Sequence, residues 1–310
     1  MYYQHCEIMR LIVLNLKNNL LSRQIPNSLN NCTKLHHFSL SNNTLEGPIP
    51  SEILTTLTRL EHLLLNSNKL NGSIPEEIGQ LWKLRELKLK NNMLTCAIPK
   101  VLGNCSFIDE LNISSNSLYG YIPQELGSFS QLQDLLLDNC TKLHHLSSNN
   151  TLEGPIPSEI LTTLTRLEHL LLNSNKLNGS IPEEIGQLWK LRELKLKNNI
   201  LTGAIPKALG NCSFMEELNI SSNSLYGYIQ QELGSLSQLR ELSLDNNNLG
   251  GSILYSLMNC TELKKLNLYH NKFVGTIPED VGHKLTKLQL VDLSINQLNG
   301  SIPKSIGNIS

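Results

Sequence analysis

Apolar residues in this chain recur in a fixed frame, neither the 3.6-residue spacing of a helix nor a simple alternation. The stretch Leu60-x-x-Leu63-x-Leu65-x-x-Asn68-x-Leu70-x-Gly72-x-Ile74-Pro75 returns along the chain. Its first apolar residue falls at Leu11, Leu35, Leu60, Leu84, Ile108, Leu132, Leu167, Leu191, Met215, Leu239, Leu263 and Leu288. These positions lie 24 or 25 residues apart except at one place, so the chain reads as about twelve coils. A period of this length marks stacked supersecondary units, none of which can bury its own apolar face alone.

Each position in the frame has a physical reason. Leu63-x-Leu65 alternates with a period of two, which points both leucines inward from a short strand. Stacked coils then pair those strands in parallel. Asn68 is polar where the chain turns inward, and its carboxamide can satisfy backbone groups of adjacent coils that burial would leave unpaired. The equivalent residues Asn19, Asn43, Asn68, Asn92, Asn116, Asn175, Asn199, Asn223, Asn247, Asn271 and Asn296 form an expected ladder. Gly72 suits a tight bend, and Ile74-Pro75 sets an apolar anchor before a residue that stops the preceding structure. Each buried leucine contributes roughly 1.5–3 kcal/mol, set against the ordering entropy of its coil.

Leu-x-x-Leu-x-Leu-x-x-Asn-x-Leu-x-Gly-x-Ile-Pro resembles the plant-specific class of extracellular leucine-rich repeats, found in receptor-like kinases, receptor-like proteins and polygalacturonase-inhibiting proteins. The resemblance covers nearly the whole chain. It implies an α/β horseshoe: a right-handed solenoid with a parallel concave sheet, an irregular or 3₁₀ convex side, and a second short sheet near the Gly-x-Ile-Pro segment. Cys6, followed by the first strand, resembles the last cysteine of the family's N-terminal cap, so residues 1–10 read as a cap remnant and 11–310 as the array. The resemblance further implies an extracellular or plasma-membrane ectodomain segment that binds a peptide or protein ligand and pairs with a co-receptor kinase. A soluble inhibitor of cell-wall-degrading enzymes and a non-functional receptor gene fragment remain the other readings. Any kinase domain would belong to the parent protein, since none is present here.

Inside the array, residues 44–135 return almost verbatim at 151–242, with nine substitutions that include Cys96 against Gly203, Pro123 against Gln230 and Phe129 against Leu236. The shift is 107 positions, not a multiple of 24, so a register break is expected at 138–151. The favoured arrangement is one enlarged coil with its strand at 132–137, Cys140 at the ladder place, and roughly 141–151 looped out. A strand at 143–147 is the competing choice.

Composition narrows the chemistry. The formal charge is −1, without the basic excess of a nucleic-acid-binding or polybasic membrane surface. No run approaches the roughly 18–20 apolar residues of a membrane helix, and the N-terminus lacks the pattern of a secretion leader. Four of the seven cysteines, Cys32, Cys105, Cys212 and Cys260, share one slot before a strand and read as small buried apolar residues. The pairs His36-His37 and His144-His145 alternate in direction, which argues against chelation, and no spacing suggests a metal or cofactor. No catalytic constellation stands out, so catalysis by this chain is not expected. Asn-x-Ser/Thr sequences at Asn71, Asn104, Asn178, Asn211, Asn259 and Asn299 are acceptor sites if the chain is secreted. The expected ligand surface is the concave face, where Lys88, Lys90, Lys195 and Lys197 project beside exposed Leu64 and Leu171, with Tyr269 further along. Such lysines could hold a carboxylate or sulfate next to an apolar side chain, or be neutralised by Glu61, Glu86, Glu168 or Glu193.

Overall fold

The computed structural model describes residues 10–138, 151–253 and 255–309. Twelve three-residue strands, from Val13–Asn15 to Leu290–Asp292, hydrogen-bond into one parallel sheet in chain order. The horseshoe that the resemblance implies is thus present with all twelve coils. In each strand the central residue points inward, and Leu63, Leu87, Leu111, Leu135, Leu170, Leu194, Leu218 and Leu242 are fully buried. Their neighbours, such as Glu86 and Lys88, face the concave surface and are only partly covered.

The convex side is built from five-residue 3₁₀ turns, most of them entered from a proline, as Glu76–Gln80 is from Pro75 and Lys207–Asn211 from Pro206; Gln231–Ser235 is entered from Gln230 instead. Three coils instead carry a short α-helix, at Ser51–Thr56, Ser158–Thr163 and Val281–Lys284. Two of these are the 25-residue coils that begin at Leu35 and Leu263, and the third is the 35-residue coil that begins at Leu132. An α-turn takes 3.6 residues where a 3₁₀ turn takes three, so widening this turn absorbs the extra residue without moving the strands. The turns pack tightly: a Cβ on Gly210 would lie 2.4 Å from the carbonyl oxygen of Glu232 in the next coil. The second sheet is also present, but in three ribbons rather than one. These run from Ser22–Arg23 to Met93–Leu94, from Tyr119–Tyr121 to Lys176–Leu177, and from Tyr226–Tyr228 to Gln297–Leu298.

The asparagine ladder has one bonding pattern repeated at each step. The Asn199 carboxamide accepts from the Leu177 amide at 3.1 Å and donates to the carbonyls of Leu172 and Leu196, both at 3.0 Å. Leu172 and Leu177 belong to the preceding coil and Leu196 to its own, so a single side chain stitches two coils. Asn43, Asn68, Asn92, Asn116, Asn175, Asn223, Asn247, Asn271 and Asn296 do the same. Asn19, in the first coil, bonds only to the local carbonyls of Leu16 and Lys17.

The residue before each ladder asparagine occupies the left-handed region, with φ between 50° and 59° from Asn18 to Ile295. Most of these are Asn or Ser, which tolerate it; Ile295, β-branched at φ 50°, does not. A second left-handed position falls at the repeat glycine, where Cys96 stands at φ 71° and its counterpart Gly203 at φ 83°.

At the seam, Asp134–Leu136 pairs with Glu110–Asn112 on one side and His169–Leu171 on the other, so these residues supply the strand of the sixth coil. Asn175 reaches across to accept from Leu152 N–H and donate to the Leu137 carbonyl, and so carries the ladder past the break. Residues 1–9 and 139–150 lie outside the described residues, and with them the cap remnant apart from Arg10, the ladder place given to Cys140, His144-His145 and the competing strand at 143–147.

Four slot cysteines are buried, as their position in the repeat predicts, and are free thiols. Cys105, Cys212 and Cys260 donate weakly to carbonyls of the preceding coil, and burial pushes their thiols up to about 12, 12 and 11.

Two outcomes follow. Replacing Asn199 with Leu strands one amide and two carbonyls in the core, and should destabilise the chain by about 2–4 kcal/mol. The loss of amide-exchange protection should be greatest at Leu177; an unchanged denaturation midpoint would contradict the role assigned to the ladder. Cys96→Gly should raise stability by about 1 kcal/mol, because the left-handed backbone is costly for any residue with a Cβ, and a lowered melting temperature would count against it.

Candidate ligand-binding surface

Parallel pairing places equivalent side chains in straight rows across the concave sheet. One row runs Leu64, Lys88, Asn112, Leu136, Leu171, Lys195. The row on the other side of the buried leucines runs His62, Glu86, Glu110, Asp134, His169, Glu193, a mostly acidic stripe. Leucines thus repeat uniformly inside while the outside changes from coil to coil.

The lysines expected here divide into two kinds. Lys88 donates to the Glu86 carboxylate and to Glu110 Oε2 at 2.9 Å; Lys195 does the same with Glu193 at 3.3 Å and Glu217 at 2.9 Å. Half-burial works against the charge of both lysines, but the paired carboxylates outweigh it and hold them above the usual lysine value. These two are therefore already neutralised, by Glu86 and Glu193 as the sequence allows, and by Glu110 and Glu217, which lie one coil on. Lys90 and Lys197 are different: they are exposed and form no ion pair among the described residues. Leu64 and Leu171 were expected to be exposed and are instead half-buried, because the flanking strands cover their sides. Tyr269 is half-buried against His270, with ring centroids 5.7 Å apart.

Histidines link neighbouring coils in and beside the acidic stripe. His36 Nδ1 lies 3.0 Å from Glu61, His62 Nδ1 lies 2.9 Å from Glu86, and His169 Nδ1 bonds to Asp134. The hydrogen bond to Asp134 raises His169 above its ordinary value, against the opposing effect of burial. Burial, with the neighbouring His62 ring 5.4 Å away, lowers His37. Glu86 is pushed up by burial, but the hydrogen bonds from Lys88 and His62 bring it below the ordinary carboxylate range. Burial raises Asp109 and Glu110. In the second copy, Arg192 bridges Glu168 at 3.1 Å and Glu216 at 2.7 Å, and Arg240 also holds Glu216. The equivalent Arg85 forms no ion pair among the described residues.

The repeat frame gave no reason to single out the aromatic residues, yet most lie on the surface. Trp82, Phe107 and Trp189 stand at the rim where the chain enters the concave strands, about half exposed. Lys83 and Lys190 lie over the two indole rings, at 4.9 Å and 5.1 Å from their centroids, and Trp189 meets Phe214 at 6.0 Å. Tyr119, Tyr121, Tyr226 and Tyr228 project from the second sheet. The available signal was that both tryptophans of a chain only 5% aromatic occupy off-frame positions. The sequon residues Asn71, Asn104, Asn178, Asn211, Asn259 and Asn299 are all exposed. No group of three or more His, Cys, Asp or Glu side chains among the described residues is arranged to hold a metal ion.

The His169–Asp134 bond carries a pH signature. A histidine raised on folding adds stability that is fully present below its unfolded value of about 6.5 and is lost as pH rises through the folded value. In an NMR titration His169 should lose its proton above pH 6.5, and Asp134→Asn should bring it back down. Deprotonation of His169 at or below 6.5 in the parent chain would contradict the pairing.

Two family profiles, both described as leucine rich repeat, match this chain. One covers residues 190–249, the other 10–32, 34–55, 59–81, 83–105, 166–188, 262–283 and 287–309. No curated protein sequence matches it. Among solved structures, the ectodomain of the Arabidopsis receptor kinase HAESA, in complex with the IDA peptide hormone and, in a second structure, also with the co-receptor SERK1, is 34% identical, with a TM-score of 0.88 over 98% of this chain. The plant peptide hormone receptor RGFR1 in complex with RGF2 is 34% identical, with a TM-score of 0.84 over 97%. A leucine-rich-repeat protein of Leptospira interrogans is 31% identical, with a TM-score of 0.72 over 96%. The chain spans 49% and 50% of the two receptor chains, about half their length, and 75% of the bacterial one.

Proposed function

The chain belongs to the leucine-rich-repeat family, and on that premise we propose that it is a ligand-binding segment of the extracellular array of a plant receptor kinase or receptor-like protein. It recognises a peptide or protein along its concave face and, as part of its parent, contributes to signalling or defence at the plasma membrane together with a co-receptor kinase.

One observation carries this reading: the inward row of the sheet is nearly uniform, leucine in ten of its twelve strands, and its outer rows are not. A solenoid that served only as a spacer would have no need for varied concave residues, whereas recognition is written in exposed side chains set on a rigid support. The HAESA ectodomain in complex with the IDA peptide hormone and the peptide hormone receptor RGFR1 in complex with RGF2 have the same architecture at about a third identity. Within the face, Lys90 and Lys197 are exposed and, like Lys17 in the first coil, form no ion pair among the described residues, so they are open to an acidic group, with Leu64 and Leu171 as half-covered apolar neighbours and Tyr269 further along the groove. The exposed sequons would place glycans outside the concave sheet, leaving that face open.

No helix among the described residues is long and apolar enough to cross a membrane, so attachment would be supplied by other parts of the parent. No feature of the surface specifically favours the enzyme-inhibitor alternative.

Panning a random-sequence peptide phage library against the immobilised 310-residue chain should enrich specific binders. The double variant K90E/K197E, with unchanged circular dichroism, should bind them at least ten-fold more weakly. An absence of enriched peptides, or full affinity in the double variant, would overturn the proposal.

A further inference from the structure

The duplication is more than a feature of the sequence, because the fold keeps the two copies in phase. A shift of 107 residues has no common measure with the 24-residue coil, and a slip at the seam would rotate one copy's surface away from the other's. The structure shows no slip. Lys88 pairs with Asn112, Asn112 with Leu136, Leu136 with Leu171 and Leu171 with Lys195, in one row of an unbroken sheet.

The local chemistry also repeats. Lys90 is flanked by Asn66 in the coil before and Ser114 in the coil after; Lys197 is flanked by Asn173 and Ser221. Ser114 donates to Asn112 at 2.8 Å, and Ser221 to Asn219 at 2.7 Å. Each exposed lysine lies diagonally from a half-buried leucine, and each has a neighbouring lysine pinned by two glutamates. Nine substitutions separate the copies, and none falls on these residues.

We infer that the concave face holds two equivalent recognition sites, centred on Lys90 with Leu64 and on Lys197 with Leu171, each taking an acidic side chain next to an apolar one from an extended peptide. The inference rests on the concave-face reading above. The sites lie four strand intervals apart, roughly 19 Å at the usual strand spacing, and an extended chain covers that in about six residues. A ligand presenting the acidic–apolar motif once therefore binds twice. A ligand presenting it twice, with a period of about six, spans both sites, and its second contact becomes intramolecular.

The test is isothermal titration of the full chain with a peptide recovered by panning, in single form and as a tandem with a six-residue period. Two single peptides should bind per chain. K90E and K197E should each reduce this to one, and the double variant should bind none. The tandem should bind one-to-one and at least ten-fold tighter than the single peptide. K90Q and K197Q serve where charge reversal disturbs folding. One-to-one binding of the single peptide, abolished by one substitution and indifferent to the other, would overturn the inference while leaving concave recognition intact. Two-to-one binding that neither substitution alters would overturn it as well. Recovery of no peptide would sink the underlying reading, and the inference with it.

Discussion

A primary carboxamide has two N–H donors and an acceptor on one flat group, and this solenoid depends on that geometry. At the inward bends held by the ladder asparagines from Asn43 to Asn296 the backbone must turn between neighbouring coils, which leaves amide and carbonyl groups in need of partners that water supplies poorly. An unpaired group of this kind costs about 1–3 kcal/mol. One asparagine answers for three of them, two in the coil before and one in its own. Aspartate has no donor and would bring a charge, serine is too short to span both coils, and glutamine would have an extra torsion to order. The left-handed residue before each asparagine is what aims the carboxamide back along the stack.

Because this solution is local, faults elsewhere in the coil are tolerated. The sixth coil is 35 residues long instead of 24. Its strand and its contact with Asn175 stay in frame, so the coils on either side meet an ordinary neighbour. The 25-residue coils resolve a smaller excess by exchanging a 3₁₀ turn for an α-turn on the convex side. Ile295 and Cys96 show the same tolerance for a left-handed backbone that their side chains disfavour.

Nearly all of the fold could be read from the sequence, since the frame of leucine, asparagine and glycine states the direction of each side chain. Asn199 and Leu194 are where the pattern puts them. The surface was less legible, for a physical reason: its interactions run between coils, and linear spacing does not reveal which partner a side chain will choose. Lys88 and Lys90 both face outward and look alike in the sequence, yet Lys88 bonds to Glu110, which is 22 residues away in sequence and one strand away in space. The alternation at Leu64 points to exposure, but alternation reports direction and not how far neighbouring strands rise around it. The rim tryptophans occupy a slot about which the frame makes no statement.

The ladder also determines how the molecule would respond to force. Each asparagine joins its coil only to the one before, so tension applied at the two ends loads those links in series rather than together. The array would come apart from an end, one coil per event, each releasing about 80 Å of chain at roughly 3.4 Å per residue. The coil that begins at Leu132, 35 residues long, would release about 120 Å at the same rate per residue. The seam would thus appear in a single-molecule pulling trace as one step half as long again as its neighbours, a length marker set by the join between the two copies.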